Sequence, residues 1–281
     1  MPRYCRMSLA RLSACLVLLA GVLLSQQEAN SPGTLRSDAE REVFLRNGKV
    51  IKARGVSTGI NNTLRVTLED GGITHDASFN DVDIAKMSFQ TADGTELNFK
   101  DSYKFNIAAY KLDRLIGLNM VPVYVERSVN GKRGSASWFV DDVQMMEKDR
   151  FQKKKAPPDQ ERWNDQMYQV RVFNELVYNV DPNLGNLLIT KEWGLVMIDF
   201  TRAFRLHKTL RSPKNLVRVD RRVYEGMKKL NQDDLQRAIG QYANNPEIQG
   251  LLARRDKIVG FFDKEIAAKG EAAVMCTAPG H

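Results

Sequence analysis

The stretch VYNVDPNLGNLLITKEWGLVMIDFTRAFR, residues 177–205, decides the fold. It reads as a helix end, a tight polar loop, a short strand, a turn, a second strand, and an acid where that strand stops. Leu187, Leu188 and Ile189 give one apolar strand, and Leu195, Val196, Met197 and Ile198 the next. Lys191-Glu192-Trp193-Gly194 turns between them. An antiparallel hairpin of this kind brings Asn186, at the start of the first strand, beside Asp199, at the end of the second. Asp181 stands five residues before Asn186, across a loop punctuated by Pro182 and Gly185. Asp-Pro-Asn followed by Gly is also a good turn sequence on its own account, so a purely structural loop is the plain alternative.

The set suits phosphoryl transfer. Magnesium prefers oxygen ligands and keeps phosphate oxygens in its shell. A carboxylate and an amide at one end of a hairpin can hold it, while a third acid orients the attacking hydroxyl. The spacing D-x-x-x-x-N, then I-D-F, resembles the catalytic and metal-binding segments of the protein-kinase-like superfamily. The similarity is to its atypical branch: phosphatidylinositol 3/4-kinases, HipA-type kinases and the kinases of the secretory pathway. A second match is NIAAYKLDRLIGL, residues 106–118, followed by Val121-Pro122. It resembles the helix of those kinases that reads E-x-A-A-Y-x-L-D-x-x-L-G and then V-P. The resemblance spans roughly residues 50–205, and the whole-chain texture is similar to an uncharacterised bacterial group related to those kinases.

The resemblance implies Asp181 as the catalytic-loop acid, Asn186 and Asp199 as ligands of Mg2+ or Mn2+, and ATP as co-substrate. It also implies a loop over the phosphates between the first two strands, where Gly55, Ser57, Thr58 and Gly59 offer backbone and hydroxyl donors. A nucleotide lysine is implied near the end of the third strand; Phe79-Asn80 stands there, and Lys86 is chosen over Lys100 because it follows that strand most closely. The bland readings are a plain hairpin loop and a solvated lysine. Two further departures are Pro182, where those families carry a basic residue, and Asn106, where they carry a glutamate. Arg202 and Arg205 are placed to pair with the acids or to contact phosphate.

At 281 residues and 43% apolar, the chain can build one large domain or two lobes sharing a cleft. The formal charge of +8 includes Arg3, Arg6 and Arg11 in the leader, and without them it is +5. That excess suits an anionic substrate, a nucleotide or an anionic surface. No basic patch interleaved with aromatics points to nucleic acid. Residues 1–11 are basic, 12–24 apolar, and Ser25-Gln26-Gln27-Glu28 polar, the pattern of a secretory signal. The apolar run is short for a spanning helix, so membrane contact is expected only through an uncleaved leader. With Cys5 and Cys15 in that leader, Cys276 stands alone and makes no internal disulfide. His75, His207 and His281 are scattered, which argues against zinc.

In order, residues 38–46 are expected as a short helix with Ser37 as N-cap, and residues 50–53, 64–68 and 73–79 as strands. Residues 90–96 form a turn, and residues 102–116 a helix with Ala108, Leu112, Leu115 and Ile116 on one apolar stripe. Residues 121–126 and 135–140 pair around Asn130-Gly131-Lys132, and Asp141-Asp142 crosses into the next lobe. Residues 147–158, with Lys153-Lys154-Lys155 and two prolines, read as a solvated linker. Residues 159–179 form a helix apolar on most sides, the spine of a lobe. Residues 221–230, 233–244 and 254–269 are the remaining helices.

The expectation is therefore an α+β, two-lobed protein-kinase-like fold, β-rich first and mainly helical after. Its divisions are a signal peptide at 1–25, a linker and short helix at 26–48, an N-lobe at 49–142, a linker at 143–158 and a C-lobe at 159–281. The expected function is an exported, secreted or periplasmic phosphotransferase acting on a protein, lipid or small-molecule acceptor. The alternative is a pseudokinase or binding module of the same fold.

Overall fold

The computed structural model describes residues 37–55, 63–91 and 94–277, with Met1. The leader after Met1, and residues 26–36 of the segment expected as linker and short helix, lie outside the described residues. Helix α1 (Asp38–Asn47) opens on a capping box, the Ser37 hydroxyl accepting from Glu40 N and the Glu40 carboxylate from Ser37 N. Strands β1 (Lys49–Gly55), β2 (Leu64–Asp70) and β3 (Ile73–Asn80) follow, with Gly71 and Gly72 at φ +57° and +83° in the turn between the last two. β4 (Asp83–Thr91) and β5 (Gly94–Ser102) pair only with each other as a long hairpin. Helix α2 (Lys104–Leu115) comes next, then β6 (Tyr124–Val129) and β7 (Lys132–Trp138), joined through Asn130 and Gly131 at φ +51° and +77°.

The smaller lobe is an antiparallel sheet ordered β1-β2-β3-β7-β6. Val66 and Leu68 on β2, Ala77 and Phe79 on β3, and Ala136 on β7 alternate onto a buried face. Helix α1 packs on that face, its Phe44 ring edge-on to Trp138 at 5.8 Å. The sequence reading missed strands β4 and β5 and saw only their turn. Met87 and Leu97 are exposed, so no buried face imposes the alternation by which a strand is recognised. On α2, Ala108, Leu112 and Ile116 are buried, but Leu115 faces solvent at 41% exposure.

Within the expected linker the chain is ordered. β8 (Val143–Met146) pairs with β9, and α3 (Glu147–Gln152) buries Glu147 under Arg150, whose Nε and Nη2 donate to it at 2.5 and 2.8 Å. The neighbouring lysines disguised an element held by one satisfied ion pair. Helix α4 (Gln160–Val177), N-capped by Asp159, buries Trp163, Val170, Val172, Phe173, Leu176 and Val177. β9 (Leu187–Thr190) and β10 (Leu195–Met197) complete a small sheet ordered β10-β9-β8.

The remainder is β11 (Val219–Asp220), α5 (Arg221–Lys229), α6 (Gln232–Ile239), α7 (Asn245–Lys269), α8 (Glu271–Val274) and β12 (Met275–Cys276), the two strands pairing in parallel. Helix α7 begins earlier than residue 254 because Asn244 and Glu247 form a capping box around Pro246. Its Arg254 is fully buried, donating from Nε to Leu176 O at 2.8 Å and from Nη1 to Arg205 O at 2.9 Å. That guanidinium ties the end of α4 to the segment after Asp199. No helix among the described residues is long and apolar enough to cross a membrane. Strands first and helices after make the chain α+β.

Candidate functional site

The polar loop is built by its own side chains. Tyr178, at φ +48°, ends α4 and turns the chain. Asn179, 5% exposed, then accepts from Asp181 N at 3.0 Å through Oδ1 and donates to Asn174 Oδ1 at 2.9 Å. Asn183 Oδ1 accepts from Gly185 N at 2.9 Å, and Asn183 Nδ2 donates to Asp181 Oδ1 at 3.3 Å. These short side-chain-to-backbone bonds are what Asn and Asp provide in turns. They leave the Asp181 carboxylate partly open.

The hairpin then does what its sequence requires. β9 and β10 pair Leu187 with Met197, and Ile198 N donates to Asn186 O at 3.0 Å. Asn186 and Asp199 therefore end neighbouring strands side by side. Asp199 takes φ +59°, a left-handed conformation that aspartate tolerates better than most residues. Its Oδ1 accepts from Thr201 Oγ1 at 3.0 Å. Burial, and after it the Asp101 and Asp181 charges, hold the Asp199 carboxyl above the usual carboxylate range, against the Thr201 hydrogen bonds.

Helix α2 and the sheet reach the same junction. Asn106 accepts from Phe200 N at 2.7 Å and donates to Ser135 Oγ at 3.3 Å. The residue that stands in place of the expected glutamate thus fixes the segment after Asp199 by neutral bonds. Tyr124 is buried beside Asp199, and burial, with the Asp199 charge after it, raises its pKa.

Of the residues expected at the site, Asp181, Asn186 and Asp199 come together. Gly55 closes β1 opposite Leu64 and is exposed, while Ser57, Thr58 and Gly59 lie outside the described residues. Lys86 is exposed on β4 with its ammonium 4.8 Å from the Phe89 ring centroid, because the chain after β3 leaves the main sheet for the separate hairpin. Lys100 Nζ donates to Glu247. Arg202 and Arg205 both pair with Glu96 of β5 rather than with the acids, at 2.6 and 2.8 Å. They line a cavity of about 770 Å³ with Glu96, Tyr178, Val180 and His207, beside the Asp181 loop. Asp101 and Tyr124 were missed; Asp101 sits on a strand with no alternation to reveal it, and Tyr124 reads only as strand.

Two buried atoms test the fit to a metal nucleotide, an acceptor for the cation and a donor for a phosphate oxygen. Asn186 Nδ2 and Asp101 Oδ1, both close to Asp199 in the fold, have no hydrogen-bond partner among the described residues. No group of three or more His, Cys, Asp or Glu among the described residues could hold an ion unaided. An amide and a carboxylate with oxygens from a phosphate ligand fit magnesium or manganese, which take few protein ligands in nucleotide sites.

This sheet, this helix and the loop–hairpin–acid unit define the chain as having an atypical protein-kinase-like fold. The crystal structure of the Golgi casein kinase matches it with TM-score 0.59 and 12% identity, over 89% of this chain and 80% of that one. The same kinase with Mn/ADP bound matches with TM-score 0.59 and 13% identity, over 89% and 81%. Hydra Fam20 with sugar matches with TM-score 0.56 and 14% identity, over 87% and 94%. At these identities the likeness is one of fold. No protein-family model and no curated protein matches the sequence.

Proposed function

We propose that the protein is an exported phosphotransferase that takes a divalent-metal nucleotide into the cleft between its lobes and passes the γ-phosphoryl group to a hydroxyl acceptor. The observation that carries this is the junction of β9 and β10, where the Ile198 N–H to Asn186 O bond of 3.0 Å sets an amide beside the Asp199 carboxylate. Asn186 and Asp199 would hold Mg2+ or Mn2+, which supplies charge neutralisation at the phosphate oxygens. Asp181, whose charge acts on Asp199, orients the acceptor hydroxyl and takes up its proton. Gly55, Ser57, Thr58 and Gly59 would offer backbone and hydroxyl donors to the phosphates. A solved neighbour that carries Mn/ADP supports a metal nucleotide as ligand. The acceptor reaches Asp181 through the cavity beside Val180.

Melting of the leaderless protein with and without Mg·ATP, beside Asp199→Ala, tests this. Ligand at a hundred times its dissociation constant adds about 2.7 kcal/mol. A metal-dependent rise lost in the variant is expected; no rise in wild type would sink the proposal. The pseudokinase reading is favoured by Asn106, which makes neutral bonds where an acid–lysine pair would stand. Nucleotide binding without turnover would establish it.

A further inference from the structure

A nucleotide polyanion needs a cation above it, and the floor of this cleft is acidic: Asp101, Asp181 and Asp199. The lysines nearest this floor along the chain are engaged elsewhere or lie off the main sheet. Lys86 is exposed on the hairpin, Lys100 is bound to Glu247, and Lys104 donates to Asp83 at 2.8 Å. The sheet register shows what does face the floor. Tyr124 pairs with Ser137, Ser137 with Ser78, and Ser78 with Arg65. Residues paired across an antiparallel sheet project from the same face, and on that face of β7 Ser135 is bonded to Asn106, which holds Phe200, the residue after Asp199. Arg65 therefore projects toward the acids from β2, three strand spacings or about 14 Å from Tyr124. On β3 the same face carries Asp76 and Ser78, neither of them basic, and on β1 it carries Arg54, opposite Arg65 but one strand farther from the acids and exposed.

Arg65 is also held in a set orientation. Its Nε donates to Asp76 Oδ2 at 2.5 Å, and Thr67 Oγ1 donates to the other carboxylate oxygen at 2.6 Å. The guanidinium lies 3.9 Å from the centroid of Phe139, in the crossing between the lobes. Its side chain is 33% exposed, and its Nη groups have no hydrogen-bond partner among the described residues.

We propose that Arg65 is the phosphate-binding cation of the nucleotide site, supplied by β2 instead of β3, with Asp76 as its positioning residue. The proposal rests on the nucleotide reading above. The fixed Nε leaves the Nη pair to meet phosphate oxygens, the fork geometry that guanidinium offers and ammonium does not. Phosphate, rather than the base, is the partner because a charged contact outweighs a stacking one.

Binding of Mg·ATP and of adenosine to the full chain, measured for wild type, Arg65→Ala, Arg65→Lys and Lys86→Ala, tests this. Arg65→Ala is expected to weaken Mg·ATP by roughly tenfold or more while adenosine changes less than about twofold. Arg65→Lys should recover part of the loss, and Lys86→Ala none should occur. Should Arg65→Ala fail to fold with Asp76 left unbalanced, the Arg65→Ala/Asp76→Ala double variant carries the same comparison. Unchanged Mg·ATP affinity, or an equal loss for adenosine, overturns the assignment of Arg65 alone. A wild type that ignores Mg·ATP overturns the proposed function and this assignment together.

Discussion

Asn106→Ala breaks the polar junction at its centre, and its cost follows from the bonds it removes. Asn106 is 2% exposed and Phe200 1%, so the Phe200 N–H that it accepts at 2.7 Å cannot turn to water instead. A buried donor left unsatisfied costs about 1–3 kcal/mol. The bond to Ser135 is longer, 3.3 Å, and its loss adds about 0.5 kcal/mol, half of an ordinary hydrogen bond. A void the size of an amide adds about 1 kcal/mol. The total is about 2.5–4.5 kcal/mol, or roughly a 5–18 °C fall in Tm for a chain of this size.

Urea denaturation with the slope held to the wild-type value measures this directly. Ser135→Ala is the internal comparison, expected to cost less than about 1 kcal/mol because the Phe200 bond survives. An Asn106→Ala variant within about 1 kcal/mol of wild type, or a Ser135→Ala variant equally destabilised, would refute the reasoning. The variant should also bind metal nucleotide more weakly, since Phe200 follows Asp199 directly.

The other expectations concern charge and space. Asp199 has a folded-state pKa above its unfolded one, so the folded protein binds more protons between the two values, and stability falls as pH rises through that interval. Asp199→Asn should therefore melt higher than wild type at neutral pH without metal, the gap closing toward about pH 4; a lower Tm at neutral pH would contradict this. Gly134→Ala would set a Cβ 2.4 Å from Asn80 O and 2.7 Å from the Phe79 ring, and should cost about 1–3 kcal/mol in denaturation. Gly260 within α7 has nothing within 4 Å of such a Cβ, so Gly260→Ala should stabilise by roughly 0.5–1 kcal/mol. Glu96→Ala leaves Arg205, 6% exposed, without its ion pair, and limited proteolysis should then cut the β4–β5 hairpin faster than in wild type.

What the sequence disclosed follows physical strength. The loop and hairpin at residues 177–199 were legible because each feature there has one cause: apolar runs of strand length, a polar turn, an acid at a strand end. The α7 cap is equally local, yet the helix expected at 254–269 begins at Asn245, with Pro246 in its first turn, where a helix accepts proline. The β4–β5 hairpin was illegible for the opposite reason, since it buries too little to leave an alternating trace. Lys86 was chosen by its distance along the chain from β3, and that hairpin takes the chain out of the sheet. Arg65 could not be found from sequence at all. Its place opposite Ser78, and so on the face that meets Asp199, is a property of the register of four strands.

The distribution of unsatisfied groups bears on whether the site still has a ligand. Apart from arginine nitrogens, the buried side-chain atoms without a hydrogen-bond partner among the described residues are Glu96 Oε1, Asp101 Oδ1 and Asn186 Nδ2. Glu96 Oε1 is compensated by Arg205 at 2.8 Å. Asp101 acts on Asp199 by charge, and Asn186 adjoins it through the Ile198 bond. Buried polar atoms are paired almost everywhere in folded proteins, because each orphan costs about 1–3 kcal/mol. Apolar or hydrogen-bonded substitutes at Asp101 and Asn186 would remove that cost if the junction served only as a turn. Beside a carboxylate already held above its usual range, these groups suit a partner that meets all three together. A cation–phosphate pair does so, the cation meeting the carboxylate oxygens and a phosphate oxygen accepting from the amide N–H, whereas a water or a neighbouring side chain satisfies one at a time.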